Sequence, residues 1–267
     1  MVNMKQKNLK KIIKFFDSLI EKTLFELKNK TNRFFGPNSK VSNFNKAVIA
    51  FISLLFIYLF YLSIPTLYNK SWVQNTVENQ LLENFNMNFS TSYDITYNIL
   101  PAPHFLIKNS KLFRNNDEKK FTISEIKKLK VFISQGNFFN KDKINIKKLL
   151  IDDANFSLQE EDLIFLNQIS YDKFSNKKIS INNSNIFLKN DSNETITIIK
   201  IKRGFFFNDD FKKKNLLNIN GEIFNSPFIL NLSKDFFESN KRRIDIEIKK
   251  LKLNFFNESE KKDNLTK

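Results

Sequence analysis

The chain contains no cysteine. That excludes disulfides and thiolate metal sites, and it suits a compartment in which a stray thiol would be oxidised. There is a single histidine, His104. Zinc sites of the usual kind need several His or Cys ligands and are excluded, and a Ser–His–acid triad would have to run through this one residue. His104 follows Pro101 and Pro103 and opens an apolar stretch, so it reads as structural. Only four glycines occur in 267 residues. They leave no room for a phosphate-cradling loop, and no G-x-S-x-G or G-x-G-x-x-G is present. The acid clusters Asp152-Asp153 and Glu160-Glu161-Asp162 lack the regular alternation and the glycine of a calcium loop, and read as a solvated turn. No enzymatic activity and no cofactor or metal is expected.

Charge of one sign is also short. Lys and Arg number 44 against 28 Asp and Glu, a formal net charge of +16. The excess is mostly lysine, alongside abundant Asn, Ile and Phe, as an AT-rich genome would give. With no recognition helix, zinc-finger spacing or aromatic RNA-binding motif, it reads as a solvated surface rather than a nucleic-acid interface, and it favours anionic lipid head groups.

What is present is one long uncharged run, Ala47 to Asn69. A helix crosses the hydrocarbon core with roughly 20 apolar residues. Ala47, Phe51, Leu55, Leu59 and Leu62 mark its course. Tyr58, Tyr61, Tyr68 and Trp72 crowd its second half, where amphipathic rings sit at a membrane–water boundary. Before the run, residues 1–46 hold eleven Lys/Arg and three acids; after it, Lys70 is the only base before Lys108. Positive flanks stay cytoplasmic, so the N-terminus is expected inside and residues from about 70 onward outside. The basic start and the apolar run are both too long for a cleaved signal peptide, and Ser63-Ile64-Pro65 is a poor cleavage site. A retained signal-anchor is expected, with a cytoplasmic segment at 1–46, a span at 47–69 and an external β-rich domain at 70–267.

Leu9, Ile12, Ile13, Phe16, Leu19, Ile20, Leu24 and Leu27 recur at helical spacing with lysines opposite, as in a helix lying on an anionic membrane surface. Residues 32–45 read as a linker. Ser71 to Phe89 reads as a short amphipathic helix, capped by Ser71. From Tyr93 the period becomes two, as at 94–99, 144–146, 179–181, 195–198, 217–219, 228–232 and 244–248. One apolar and one polar face predict antiparallel strands with one covered side. Asn and Asp fill the turns at 115–117, 189–193 and 208–210. A loose repeat, an alternating stretch, a polar break and a second alternating stretch, recurs at 105–115, 144–159, 179–190 and 244–259.

The order of basic start, span, short helix, Leu100-Pro101-Ala102-Pro103-His104-Phe105-Leu106-Ile107, Ile123-Ser124-Glu125-Ile126-Lys127-Lys128-Leu129, and the run from Phe138 to Leu158 resembles the N-terminal region of AsmA-like proteins of Gram-negative inner membranes. The resemblance covers about residues 46–167. It implies an elongated, curved antiparallel sheet with an apolar groove. It also implies a bacterial inner-membrane, single-pass location with the C-terminal part periplasmic, and a part in phospholipid transport between membranes and outer-membrane assembly. Membrane phospholipids and other cell-envelope proteins are the implied partners. At ~16 residues per strand and turn, about 12 strands at ~4.8 Å spacing give a sheet of at most ~60 Å. The strands nominate Ile95, Tyr97, Ile99, Phe132, Ile144, Ile146, Phe156, Leu158, Ile196, Ile198, Phe228 and Leu230 as groove residues. An acyl chain gains about 0.8 kcal/mol per buried CH₂ anywhere along such a lining. The alternative is a structural or adaptor protein in which the same residues fill a closed core and no lipid binds.

Overall fold

The computed structural model describes residues 22, 43–114, 121–136, 138–139, 144–159, 162, 172–236 and 241–260. The basic helix expected at 9–27 (Lys22 apart), the linker up to residue 42, and the turn at 115–117 lie outside the described residues. Contacts divide the chain into two units, residues 1–58 and 59–267.

Helix α1 (Asn43–Ser63) carries no acid in its first turn and no base in its last. With the 3-10 turn Ile64–Leu67 it gives one segment, Phe44–Leu67, long and apolar enough to cross a membrane. The α-helix stops at Ser63 because Pro65 disfavours helical geometry at Ile64. Almost the whole of α1 is exposed, Ala47, Phe51, Leu55 and Leu59 included, whereas Leu62 is buried.

The second unit is mainly β. Among its described residues the one long helix past the apolar segment, α2 (Lys70–Phe85), is capped by Asn69 rather than Ser71: the Asn69 side-chain oxygen accepts from the Ser71 and Trp72 amides at 2.9 and 3.2 Å. Asn86, at φ 52, closes the helix in the left-handed region. Val73, Val77, Leu81 and Phe85 recur every four residues and are buried, which is the stripe a helix lays against a sheet.

Eleven strands form one sheet: β1 (Asn88–Ser90), β2 (Ile95–Asn98), β3 (His104–Arg114), β4 (Phe121–Ile133), β5 (Ile146–Leu158), β6 (Lys178–Lys189), β7 (Thr195–Asp209), β8 (Lys214–Ile223), β9 (Ser226–Asp235), β10 (Lys241–Ile248) and β11 (Leu253–Glu260). β1 and β2 both pair with β3, and β3 to β11 follow in sequence order. The expectation of an antiparallel sheet holds at every pairing but one: β5 and β6 are parallel. The reason is the long connection at 159–177. A hairpin returns the chain antiparallel, whereas parallel neighbours need a crossover of a dozen or more residues.

Partners in register share a face, so one side of the sheet can be followed from strand to strand. Phe105 and Ile107 on β3 face with Val131 and Leu129 on β4, Leu149 and Ile151 on β5, and Ile179 and Ile181 on β6. These residues and the α2 stripe form one cluster. Each such side chain contributes about 1.5–3 kcal/mol when fully buried, so the α2-covered part holds most of the core.

The polar breaks of the sequence repeat are mostly not turns. Asn109, Asp153 and Asn183 have φ of 54, 59 and 47 and sit inside β3, β5 and β6. The registers place Asn109, Lys127, Asp153, Asn183 and Lys202 opposite one another across five strands. Along this line the alternation slips by one residue, so inward positions run Ile107/Ser110, Ile126/Leu129, Ile151/Ala154, Ile181/Ser184 and Ile201/Gly204. The Ala154 amide donates to Ser184 Oγ at 3.1 Å, and Lys127 lies 3.2 Å from Asp153. Asp152-Asp153 is therefore a mid-strand break, not the solvated turn expected. Only in the last repeat, at 249–251, does the break become a true connection between strands.

Candidate lipid-facing surface

The same inward face continues past α2 onto β7–β11, and there it is ordered in rows. Ile201, Gly221, Phe228, Ile248 and Leu253 are successive partners; so are Gly204, Ile219, Leu230, Ile246 and Phe255; so are Phe206, Leu217, Leu232, Ile244 and Asn257. The contiguous core reaches Phe206 and takes in no residue of β8–β11. Most of these side chains are half-buried against each other. Exposure rises toward the last strand, to 47% at Leu253 and 49% at Phe255. Gly221 has a specific role: a Cβ there would lie 2.3 Å from the Lys200 carbonyl oxygen and 2.7 Å from the Phe228 ring. Its absence lets that ring lie across β8.

A fourth row ends the strip: Asn208, Asn215, Lys234, Arg242 and Ser259. The first four are buried. Asn208 donates to the Asn215 side chain at 3.0 Å, Asn215 donates to the Asp172 carbonyl at 2.6 Å, and Arg242 Nε lies 3.3 Å from Ser259 Oγ. Lys234 Nζ stands 4.8 Å from the Phe236 ring centre. The register carries this row to the end of the sheet that holds the β4–β5 loop. An apolar strip bounded at one end by a buried polar row is the result.

The opposite face is wet. Lys148 and Lys178 lie over the Phe132 and Phe205 rings at 4.3 and 4.0 Å, and Asn155–Asn185 and Asn218–Asn231 are hydrogen-bonded pairs. Glu258 takes hydrogen bonds from Lys241 and Arg243, which hold its carboxyl below the ordinary range.

The twelve nominated groove residues fall into three groups. Ile95, Tyr97, Ile99, Ile144, Ile146 and Phe156 belong to or pack on the α2-covered core, and Leu158 is buried on the same face. Phe228 and Leu230 lie on the strip. Phe132 and Ile198 face the other way, as the pairings of Phe132 with Lys148 and Ile198 with Phe187 fix, and Ile196 is exposed at a register shift. Alternation at Thr195–Ile198 suggested Ile196 and Ile198, but the inward residues are Thr197, Ile199 and Ile201. The strip's other members, Leu217, Ile219, Leu232, Ile244 and Ile246, stood in alternating stretches. Their signal was the alternation; what sequence lacked was which stretches a helix would cover.

His104 is buried, its ring 4.9 Å from that of Phe132 and its Nδ1 2.8 Å from the Ala102 carbonyl oxygen. Among the described residues no group of three His, Cys, Asp or Glu is placed to hold a metal. No protein-family model matches the chain, and no curated protein matches it in sequence.

Proposed function

We propose that the chain is a membrane-anchored envelope protein of the AsmA type. In this reading α1 crosses the inner membrane with the N-terminus cytoplasmic, and the periplasmic sheet carries phospholipid acyl chains in transport between membranes and outer-membrane assembly. The observation that carries the reading is the strip of three apolar rows on β7–β11, continuous with the core face yet outside the core that α2 closes. Apolar lining binds each CH₂ by the same amount wherever it lies, so a chain can move along the strip without a special site.

The test is site-specific photo-crosslinking in intact membranes. A benzophenone amino acid at Leu230 or Ile246, on the strip, is expected to capture radiolabelled phospholipid. The same group at Asn231 or Asp245, one residue away on the wet face, is not. Absence of lipid at the strip, or equal labelling on both faces, refutes the carrier.

One observation favours the adaptor reading. Among the described residues nothing pairs with the outer side of β11, and Phe256 on its wet face is exposed. A partner strand adding there would be captured at β11 in the same experiment, with no lipid at Leu230.

A further inference from the structure

Where the apolar segment ends, three separate pieces of chain converge. Leu67 is its last residue. The next residue, Tyr68, donates from its hydroxyl to the Phe138 carbonyl at 2.5 Å, in the β4–β5 loop. Tyr61, in the last turns of α1, stacks on Phe138 at 5.3 Å and meets the Phe139 ring at 5.5 Å; its hydroxyl donates to the Gln135 carbonyl. Tyr97 ties in the β2–β3 turn, donating to the Leu62 carbonyl at 2.7 Å, and the Ile133 amide donates to the Pro103 carbonyl at 3.0 Å. The three pieces are thus fixed to one another by hydrogen bonds around residues 61–68.

Each piece turns a large apolar side chain outward. Leu67 is 78% exposed, Leu100 81% and Phe139 73%. Beside them lies a shallow cleft of about 440 Å³. Pro103 and Gln135, from the same two connections as Leu100 and Phe139, line it together with Lys147, Lys148 and Lys178. Lone exposed apolar residues are common and need no account. Three gathered at the end of a span-length helix, with tyrosines beneath and lysines beside, match the composition of a membrane–water boundary.

We propose that this end of the β-domain is a bilayer-contacting surface: Leu67, Leu100 and Phe139 enter the interfacial zone of the membrane that α1 crosses, while Lys147, Lys148 and Lys178 meet anionic head groups. The proposal rests on the reading of α1 as a membrane span. Its occupant is the lipid surface because the chain is already at that surface at Leu67, and Phe138-Phe139 is one side chain's reach from Tyr68. The consequence is a domain held against the membrane at a fixed place rather than tethered by a single strand of chain.

The absence of cysteine makes the test clean. Single substitutions Leu55→Cys, Leu100→Cys, Phe139→Cys and Phe224→Cys in the full chain are labelled with an environment-sensitive fluorophore. The protein is then reconstituted in vesicles of phosphatidylcholine and phosphatidylglycerol. Lipids bearing a nitroxide near the head group or deep in the acyl chain quench the label according to depth. Leu100, Phe139 and Phe224 are all exposed, so the label has room at each; Phe139→Cys gives up only its ring contact with Tyr61, whose stacking on Phe138 stays, and Phe224 serves as control in the β8–β9 turn at the other end of its strands. The deep nitroxide is expected to quench at Leu55, and the shallow one severalfold more at Leu100 and Phe139 than at Phe224. Quenching at Leu55 with Leu100 and Phe139 no different from Phe224 overturns the contact surface and leaves the span standing. No quenching at Leu55 overturns the span and the contact with it. Changing the three lysines to Gln is expected to bring quenching at Phe139 in anionic vesicles down to its level in pure phosphatidylcholine; an unchanged value overturns the head-group part.

Discussion

Gly221→Ala and Gly204→Ala make the same change on the same face of neighbouring strands, and the structure assigns them opposite outcomes. At Gly221 the added Cβ meets the Lys200 carbonyl oxygen at 2.3 Å and two carbons of the Phe228 ring at 2.7 and 2.9 Å. The ring can rotate away, but the carbonyl belongs to the β7–β8 ladder and cannot move without breaking register. Overpacking of this kind costs about 1–3 kcal/mol. At Gly204 the nearest atom is Ile219 Cγ1 at 3.4 Å and the next the Asn218 carbonyl oxygen at 3.5 Å, which is ordinary contact. Neither glycine has a positive φ, so backbone strain does not enter. Alanine at 204 therefore gains from a less flexible unfolded chain, about 0.4–1 kcal/mol. Thermal unfolding of the full chain in detergent reads the difference. For a domain of this size each kcal/mol moves Tm by about 2–4 °C, so Gly221→Ala falls and Gly204→Ala holds or rises. Equal shifts, or a larger loss at 204, refute the placement of Phe228 over β8. The same substitution displaces that ring from the strip, so lipid capture at Leu230 is expected to fall in Gly221→Ala alone.

Three further outcomes follow from local geometry. Phe224 is at φ 48, followed by Asn225 at φ 56, in the two-residue β8–β9 turn; a non-Gly residue held left-handed costs about 1–2 kcal/mol, and Phe224→Asn, which relieves part of it, is expected to raise the denaturation midpoint. Asn69→Ala removes the cap of α2 and is expected to cost about 1 kcal/mol, with Asn69→Asp retaining most of it in the same unfolding scan. Burial first, and then the neighbouring Tyr68, push the Tyr97 hydroxyl from the ordinary tyrosine value of about 10 up to about 12. Between those values the unfolded chain ionises while the folded one does not, so this contribution is fully present below pH 10 and is lost as pH rises to 12; Tyr97→Phe is expected to flatten that alkaline decline, read as Tm against pH.

Much of the β-domain was legible because alternation is a direct imprint of a sheet with one covered face. The stretches at 217–219, 228–232 and 244–248 are β8, β9 and β10, with the inward residues as their apolar positions indicate. Alternation fails where a residue in the left-handed region slips the phase. Asn109, Asp153 and Asn183 are residues that tolerate that region through short polar side chains, and the same polarity makes them look like turns in a sequence. A turn ends a strand, whereas a slip keeps it going with the faces reset; only register distinguishes them. The parallel β5–β6 pair was illegible for another reason. It depends on the path of residues 159–177, and a path leaves no periodicity. The cap of α2 was off by two residues because Ser71 and Asn69 are both good caps, and which one serves depends on where Pro65 stops the preceding helix.

The candidate site divides along the same line. Sequence nominated apolar strand positions all along the chain, as a uniform groove would require. In the fold, α2 closes the face over β3–β6, so Ile95, Ile146 and Phe156 contribute to stability, and the proposed carrier function rests on residues of β7–β11 alone. This sharpens the contrast between carrier and adaptor. An acyl chain needs side chains of the strip and is indifferent to backbone. A partner strand needs the free amides and carbonyls of β11 and is indifferent to the strip's interior. Leu230→Asp alters only the first, because its neighbours Ile219 and Ile246 stay paired through backbone. Proline at those β11 positions whose amides point away from β10 alters the second, because proline offers no amide to an added strand and leaves the β10–β11 ladder in place. A carrier loses lipid capture at Ile246 with Leu230→Asp and keeps it with proline in β11; an adaptor shows the reverse, losing its partner only with the proline.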